Sequence, residues 1–127
     1  MGKYVIYARE TGFRFHLKAA NGETIATSEL YTTLPSLHSG IESVRKNGPR
    51  AKLEDLTQPG GKKVTNPKFQ IFEDKAGCYR FNLYARNGQI VASSQAYTSR
   101  EACLSGIESV RTNAPEVEIE YEKSAVD

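Results

Sequence analysis

From Phe13 to Ala19 the chain alternates strictly. Phe13, Phe15, Leu17 and Ala19 fall on one face, and Arg14, His16 and Lys18 on the other. A period of two marks a half-buried strand. Lys3–Arg9, rich in Tyr, Val and Ile, reads as a strand before it, with Glu10-Thr11-Gly12 as the turn. Asn21-Gly22 predicts a two-residue type I′ hairpin turn, which needs positive φ at both residues. Glu23–Ser28 is the return strand. Its expected register sets Leu17 opposite Ala26, Lys18 opposite Ile25 and His16 opposite Thr27. The period then changes. Leu37, Ile41 and Val44 make one apolar stripe of a helix, capped by Thr32 or Thr33, with Pro35 tolerable only in the first turn. Gly40 shares that stripe and predicts close packing of the helix on the sheet. Asn47-Gly48-Pro49 ends the helix, and Arg50–Leu56 reads as a fourth strand.

The same pattern then returns. Ser39–Arg45 and Ser105–Arg111 are identical, and Phe13–Pro49 lies on Tyr79–Pro115 without a gap, nineteen of thirty-seven positions matching. In the second copy Cys103, Ile107 and Val110 form the helix stripe, with Gly106 on it. Thr98-Ser99-Arg100-Glu101 predicts a capping box. Glu116–Glu122 alternates most cleanly of all. Between the copies, Thr57–Pro67 is polar and rich in Gly and Pro, and reads as a linker. The expected boundaries are therefore 3–56 for the first repeat, 57–67 for the linker, 68–122 for the second repeat and 123–127 for a tail, all in one domain of 1–127. Each β-β-β-α-β copy buries too little to stand alone. Two copies can share one sheet, which predicts an α+β fold with one antiparallel sheet and both helices on one face.

The strings R-F-x-L-x-A-x-N-G, A-x-S-x-x-Y-T and S-G-I-E-S-V-R-x-N-x-P, present in both copies, resemble the YegP-like family of uncharacterised bacterial proteins in its duplicated form. The resemblance covers nearly the whole chain outside linker and tail. It implies tandem units that exchange their C-terminal strands. It implies no activity.

Composition narrows function only by exclusion. The net charge of +2 is too small to argue for nucleic acid by itself. No apolar run approaches membrane-spanning length, no signal-peptide pattern opens the chain, and two cysteines without C-x-x-C suggest a reducing compartment. The expectation is a cytoplasmic monomer, without a membrane role. His16 and His38, the only histidines, stand without a ligand cluster, so no metal and no cofactor is expected. Cys103 falls on the buried stripe, and Ser28 and Ser94 read as strand ends. No catalytic residue is singled out, and no enzyme is expected; the weakest alternative is an enzyme with a site between the repeats. Glu42–Arg45 and Glu108–Arg111 read as surface pairs. The outer sheet face is the better candidate. Arg14, Lys18, Arg80, Tyr84 and Arg86 interleave cations with an aromatic ring, beside His16, Ile25, Thr27, Asn82, Val91 and Ser93. That suits a protein partner or, as the alternative, single-stranded nucleic acid. Glu116, Glu118, Glu120 and Glu122 on the same face oppose the second reading.

Overall fold

The computed structural model describes residues 2–116 and 118–122. The expected tail, 123–127, and Val117 lie outside them. The elements are β1 (Lys3–Arg9), β2 (Gly12–Lys18), β3 (Thr24–Thr27), α1 (Leu34–Asn47), β4 (Lys52–Asp55), β5 (Lys68–Glu73), β6 (Tyr79–Tyr84), β7 (Ile90–Ser93), α2 (Arg100–Asn113) and β8 (Ile119–Tyr121). All eight strands form one sheet in the order β4-β5-β6-β7-β3-β2-β1-β8. The halves meet where β3 lies antiparallel to β7, with Thr27 opposite Ser93.

The sheet is mixed, not antiparallel throughout. β4 pairs with β5 in parallel, and β8 pairs with β1 in parallel. Each of these edge strands follows a helix instead of a hairpin. Parallel neighbours need a crossover of about a dozen residues or more. Residues 56–67 supply that length between β4 and β5. Charged Lys52, Glu118 and Glu120 at the edges discourage further strand pairing.

The hairpin turns also differ from expectation. Among the described residues only glycines have positive φ: Gly22 at 88° and Gly88 at 90° in these two turns, with Asn21 and Asn87 on the ordinary side. Ala19 accepts from Gly22 N at 2.9 Å and donates to Glu23 O at 2.9 Å. This is a type I turn closed by a left-handed glycine, a three-residue loop. The extra residue becomes a bulge, so Lys18 faces Thr24 and Tyr84 faces Ile90. Ile25 and Val91 are thereby turned off the outer face into the core, 5% and 7% exposed.

One face of the sheet and both helices enclose that core. Tyr4, Phe15, Phe69 and Phe81 are its largest side chains, packed with Leu37, Ile41, Val44, Cys103, Ile107 and Val110. Each fully buried ring contributes roughly 2–3 kcal/mol. Thr33 caps α1, accepting from Ser36 N. Ser99, not Thr98, caps α2 and accepts from Ala102 N. The capping box therefore fails, because the residue three past the true cap is Ala102, which has no carboxylate to return the bond.

The glycines on the stripe make room for rings. A β-carbon on Gly40 would meet the Tyr31 hydroxyl and lie 2.7 Å from Tyr31 Cζ. One on Gly106 would meet the Tyr97 hydroxyl, 2.8 Å from Tyr97 Cζ and 3.3 Å from Phe81 Cε2. Tyr31 stacks on Phe15 and Tyr97 on Phe81, both at 6.4 Å. Each tyrosine is thus clamped between sheet and helix backbone.

Candidate functional site

The sheet face opposite the helices carries four of the five side chains the sequence singled out, but does not gather them. Arg14 lies across from Tyr7, and His16 across from Val5. The Tyr7 and His16 rings are 4.4 Å apart, and the Arg9 guanidinium stands 5.5 Å from the Tyr7 ring. Tyr7, Arg9, Arg14 and His16, with Thr11 and the exposed Leu30, line a depression of about 310 Å³. His16 is half-buried there, not solvated as a lone strand histidine. Burial, then the positive charges of Lys18, Arg14 and Arg9, lower its pKa, so the ring is neutral at pH 7.

Lys18 sits at the far end of β2, opposite Lys3. Arg80, which matches Arg14, is held by Asp74 at 2.7 Å. Asp74 also accepts from the backbone of Ala76 and Cys78 in the turn before β6. Arg80's hydrogen bond leads the causes that hold the Asp74 carboxyl below its ordinary value. Tyr84 donates to Gln70 Oε1 at 3.2 Å and lies under Lys68, 5.2 Å from its ring. Arg86 is not on the sheet face: β6 ends at Tyr84, and Arg86 belongs to the β6–β7 turn. Of the five, only Arg14 is on the open face, beside an aromatic group and, among the described residues, without an ion-pair partner.

Among the described residues two of the four acids of Glu116–Glu122 are in ion pairs, and both partners lie on β1 and not among the cations singled out. Glu120 pairs with Lys3 at 3.1 Å, and Glu122 with Arg9 at 2.7 Å. Sequence reasoning missed the most enclosed acid. Glu54 on β4 is 4% exposed. It accepts from Gln70 Nε2 at 2.7 Å, Val64 N at 2.9 Å and Lys68 Nζ at 3.0 Å. The Gln70 and Val64 hydrogen bonds outweigh burial and pull its pKa down to about 2. Nothing within Lys52–Asp55 marks it, because the groups that hold it, Val64, Lys68 and Gln70, come ten to sixteen positions later. The covering segment could not be read.

Of the two free thiols, Cys78 is half-buried in the turn before β6 and Cys103 is enclosed, while Ser28 and Ser94 are occupied. Cys103 is fully buried, and burial pushes its thiol up to about 11. Ser28 Oγ accepts from Phe15 N at 2.9 Å and donates to Glu29 O at 2.7 Å; Ser94 repeats both bonds with Phe81 and Gln95. Among the described residues no three His, Cys, Asp or Glu side chains gather as a metal site. Among the described residues no helix is long and apolar enough to cross a membrane.

The family described as a domain of unknown function, DUF1508, matches the chain twice, over residues 8–55 and 74–120. The chain belongs to that family. It is 45% identical over 101 residues to the UPF0339 protein YegP of Escherichia coli K12, covering 80% of this chain and 78% of that protein. A UPF0339 protein of Pseudomonas aeruginosa is 39% identical over 109 residues, 86% of each. The solution NMR structure of E. coli YegP, titled a protein of unknown function, superposes with a TM-score of 0.78 at 35% identity, covering 95% of this chain and 92% of that one. A UPF0339 protein of Shewanella oneidensis gives 0.78 at 36% identity, covering 94% and 90%.

Proposed function

We propose that this protein is a non-catalytic binding module, a cytoplasmic monomer that takes an acidic segment of a protein partner on its open sheet face. The observation that carries it is the Arg14 depression. An exposed cation without a counter-charge adjoins two aromatic rings and Leu30, 39% exposed. A carboxylate on Arg14 with an apolar neighbour on Leu30 and Tyr7 would use both features. The occupied serines and the buried thiol support a non-enzymatic reading. The test is affinity capture from a bacterial lysate with three baits. A partner retained by wild type and by Arg80→Glu, but lost with Arg14→Glu, supports the proposal. Capture indifferent to Arg14 overturns it.

A second reading, single-stranded nucleic acid, is favoured by the same Tyr7 and His16 rings beside Arg14, which could stack on bases. The pairing of Lys3 and Arg9 with Glu120 and Glu122 opposes it. Absence of binding to single-stranded RNA at low salt, where electrostatic affinity is greatest, ends it.

We further read the halves as tandem copies that exchange their last strands across the sheet. The pairings β4 with β5 and β8 with β1 support this. A fragment of residues 66–127 would lack its neighbour for β8 and should form an exchanged dimer, while the full chain stays monomeric. A folded monomeric fragment in the ultracentrifuge refutes the exchange.

A further inference from the structure

The end of α1, the start of β4 and the β6–β7 turn enclose a crevice of about 270 Å³. Lys46, Arg50, Lys52 and Arg86 line it, with the amides of Asn47 and Asn66, and no carboxylate does. Among the described residues none of these four cations has an ion-pair partner. Lys3, Arg9, Arg45, Lys68, Arg80, Arg100 and Arg111 all do. Nine described cations have no ion-pair partner, Arg14, Lys18, Lys62, Lys63 and Lys75 being the others, and four of the nine line this one concavity. Low-dielectric walls focus such a field outward.

The fold does not require these cations, and the duplication supplies the control. Sixty-six positions on, Lys46, Arg50 and Lys52 become Thr112, Glu116 and Glu118, and Arg86 matches Ala20. The equivalent crevice is lined by Ala20, Thr112, Asn113 and Glu116. The scaffold is otherwise the same. Asn47 donates to Ser43 O at 2.8 Å, and Asn113 to Ser109 O at 2.8 Å. One site has gathered four cations where its twin has an acid and neutral groups.

We propose that the α1–β4–turn crevice binds the di- or triphosphate group of a small soluble ligand. A phosphomonoester carries about −1.5 to −2 at pH 7, so a single one leaves the cluster half-neutralised and a longer phosphate chain matches it. Arg50 and Arg86 supply planar forks suited to phosphate oxygens, and Lys46 and Lys52 supply point charges. The site lies off the open sheet face and stands or falls apart from the partner-binding reading.

The test is an NMR and calorimetric titration at low ionic strength, with pyrophosphate, tripolyphosphate and sulfate as probes. Saturable one-site binding is expected, with shifts at Asn47, Arg50, Lys52 and Arg86. Tripolyphosphate should bind roughly tenfold or more tightly than sulfate, since each charge-assisted bond adds about that factor. The double variant Arg50→Glu/Lys52→Glu, at exposed positions, should weaken binding at least about tenfold with an unchanged unfolding midpoint. If that variant is unstable, Lys46→Gln/Arg86→Gln asks the same question without reversing charge. Arg14→Glu should bind as wild type. Binding that survives both double variants, shifts that map elsewhere, or no saturation overturns the proposal. So does a single-stranded oligonucleotide that saturates these residues where tripolyphosphate does not, which would assign the crevice to a polymer.

Discussion

At one edge of the sheet Glu54 meets Lys68; at the other, Glu120 meets Lys3. The two pairs occupy matching positions in the two halves and have nearly the same length, 3.0 and 3.1 Å. Their surroundings differ. Lys68 lies over Tyr84 and Glu54 receives Gln70 and Val64 N, so every group in the cluster has a partner. Lys3 instead faces Lys18, and Val5 stands where Gln70 would be. The Glu54 side chain is 4% exposed and that of Glu120 50%. One ladder pair can therefore be a fixed part of the interior or a solvated surface pair. What decides is the segment after β4, which folds its Val64 backbone over the first, whereas among the described residues Glu120 receives only Lys3.

Removing the acid is the strongest way to break this contrast. Glu54→Gln leaves Lys68, 16% exposed, without its counter-charge, and should destabilise by about 2–4 kcal/mol in denaturant unfolding. Glu120→Gln should change stability by less than about 1 kcal/mol. Equal effects would show that the covering segment adds nothing. The pH dependence sharpens the point. Glu54 has a depressed folded pKa, about 2 against an ordinary 4.5. Its stabilisation is thus fully present above the unfolded value and is lost as pH falls through about 2. The deficit of Glu54→Gln should be constant above about pH 5 and shrink steadily below pH 4. A deficit that persists undiminished at pH 2 would contradict the charged network.

The helices give the converse comparison, because there the halves are alike. Gly40 and Gly106 each admit a tyrosine ring, but Gly106 also has Phe81 at 3.3 Å. Gly106→Leu should cost about 1–3 kcal/mol by overpacking, and Gly40→Leu somewhat less. Gly106→Ala combined with Tyr97→Phe should recover part of the single-variant loss, since the hydroxyl is the first atom the new β-carbon meets. An unchanged unfolding midpoint for Gly106→Leu would remove the clamp from the account.

These regions also show what could be read from the chain alone. The alternation of Phe13–Ala19, the Leu37–Ile41–Val44 stripe and the i, i+3 pairs Glu42–Arg45 and Glu108–Arg111 carry their periods locally, and the structure has them. The bulge that moves Ile25 inward depends on the turn adopting a three-residue form, which Asn21-Gly22 permits as readily as the two-residue one. Strand direction at the edges depends on where helices deliver the chain, not on any pattern within β4 or β8. The candidate site was less legible still. Arg14 and Arg80 look alike in sequence, and Asp74, from a turn lengthened in one copy only, removes the second. The cations of the α1–β4–turn crevice come from segments up to forty positions apart in the chain, so no window contains them together.

The smallest expected effect tests the comparison where it is weakest. A double-mutant cycle on Lys3 and Glu120, using Met and Gln, should give a coupling of roughly 0.2–1 kcal/mol at low salt. Both side chains are open, at 34% and 50% exposed, and Lys18 lies beside Lys3. Raising ionic strength to about 1 M shortens the screening length to about 3 Å. The attraction to Glu120 and the repulsion from Lys18 are both screened, and the coupling should fall toward zero. The same cycle on Lys68 and Glu54 should keep most of its value, because solvent ions cannot enter between groups enclosed by Val64, Gln70 and Tyr84. Parallel salt dependence in the two cycles would mean that the Glu54 cluster opens to solvent, and that the two edges differ in shape but not in energetics.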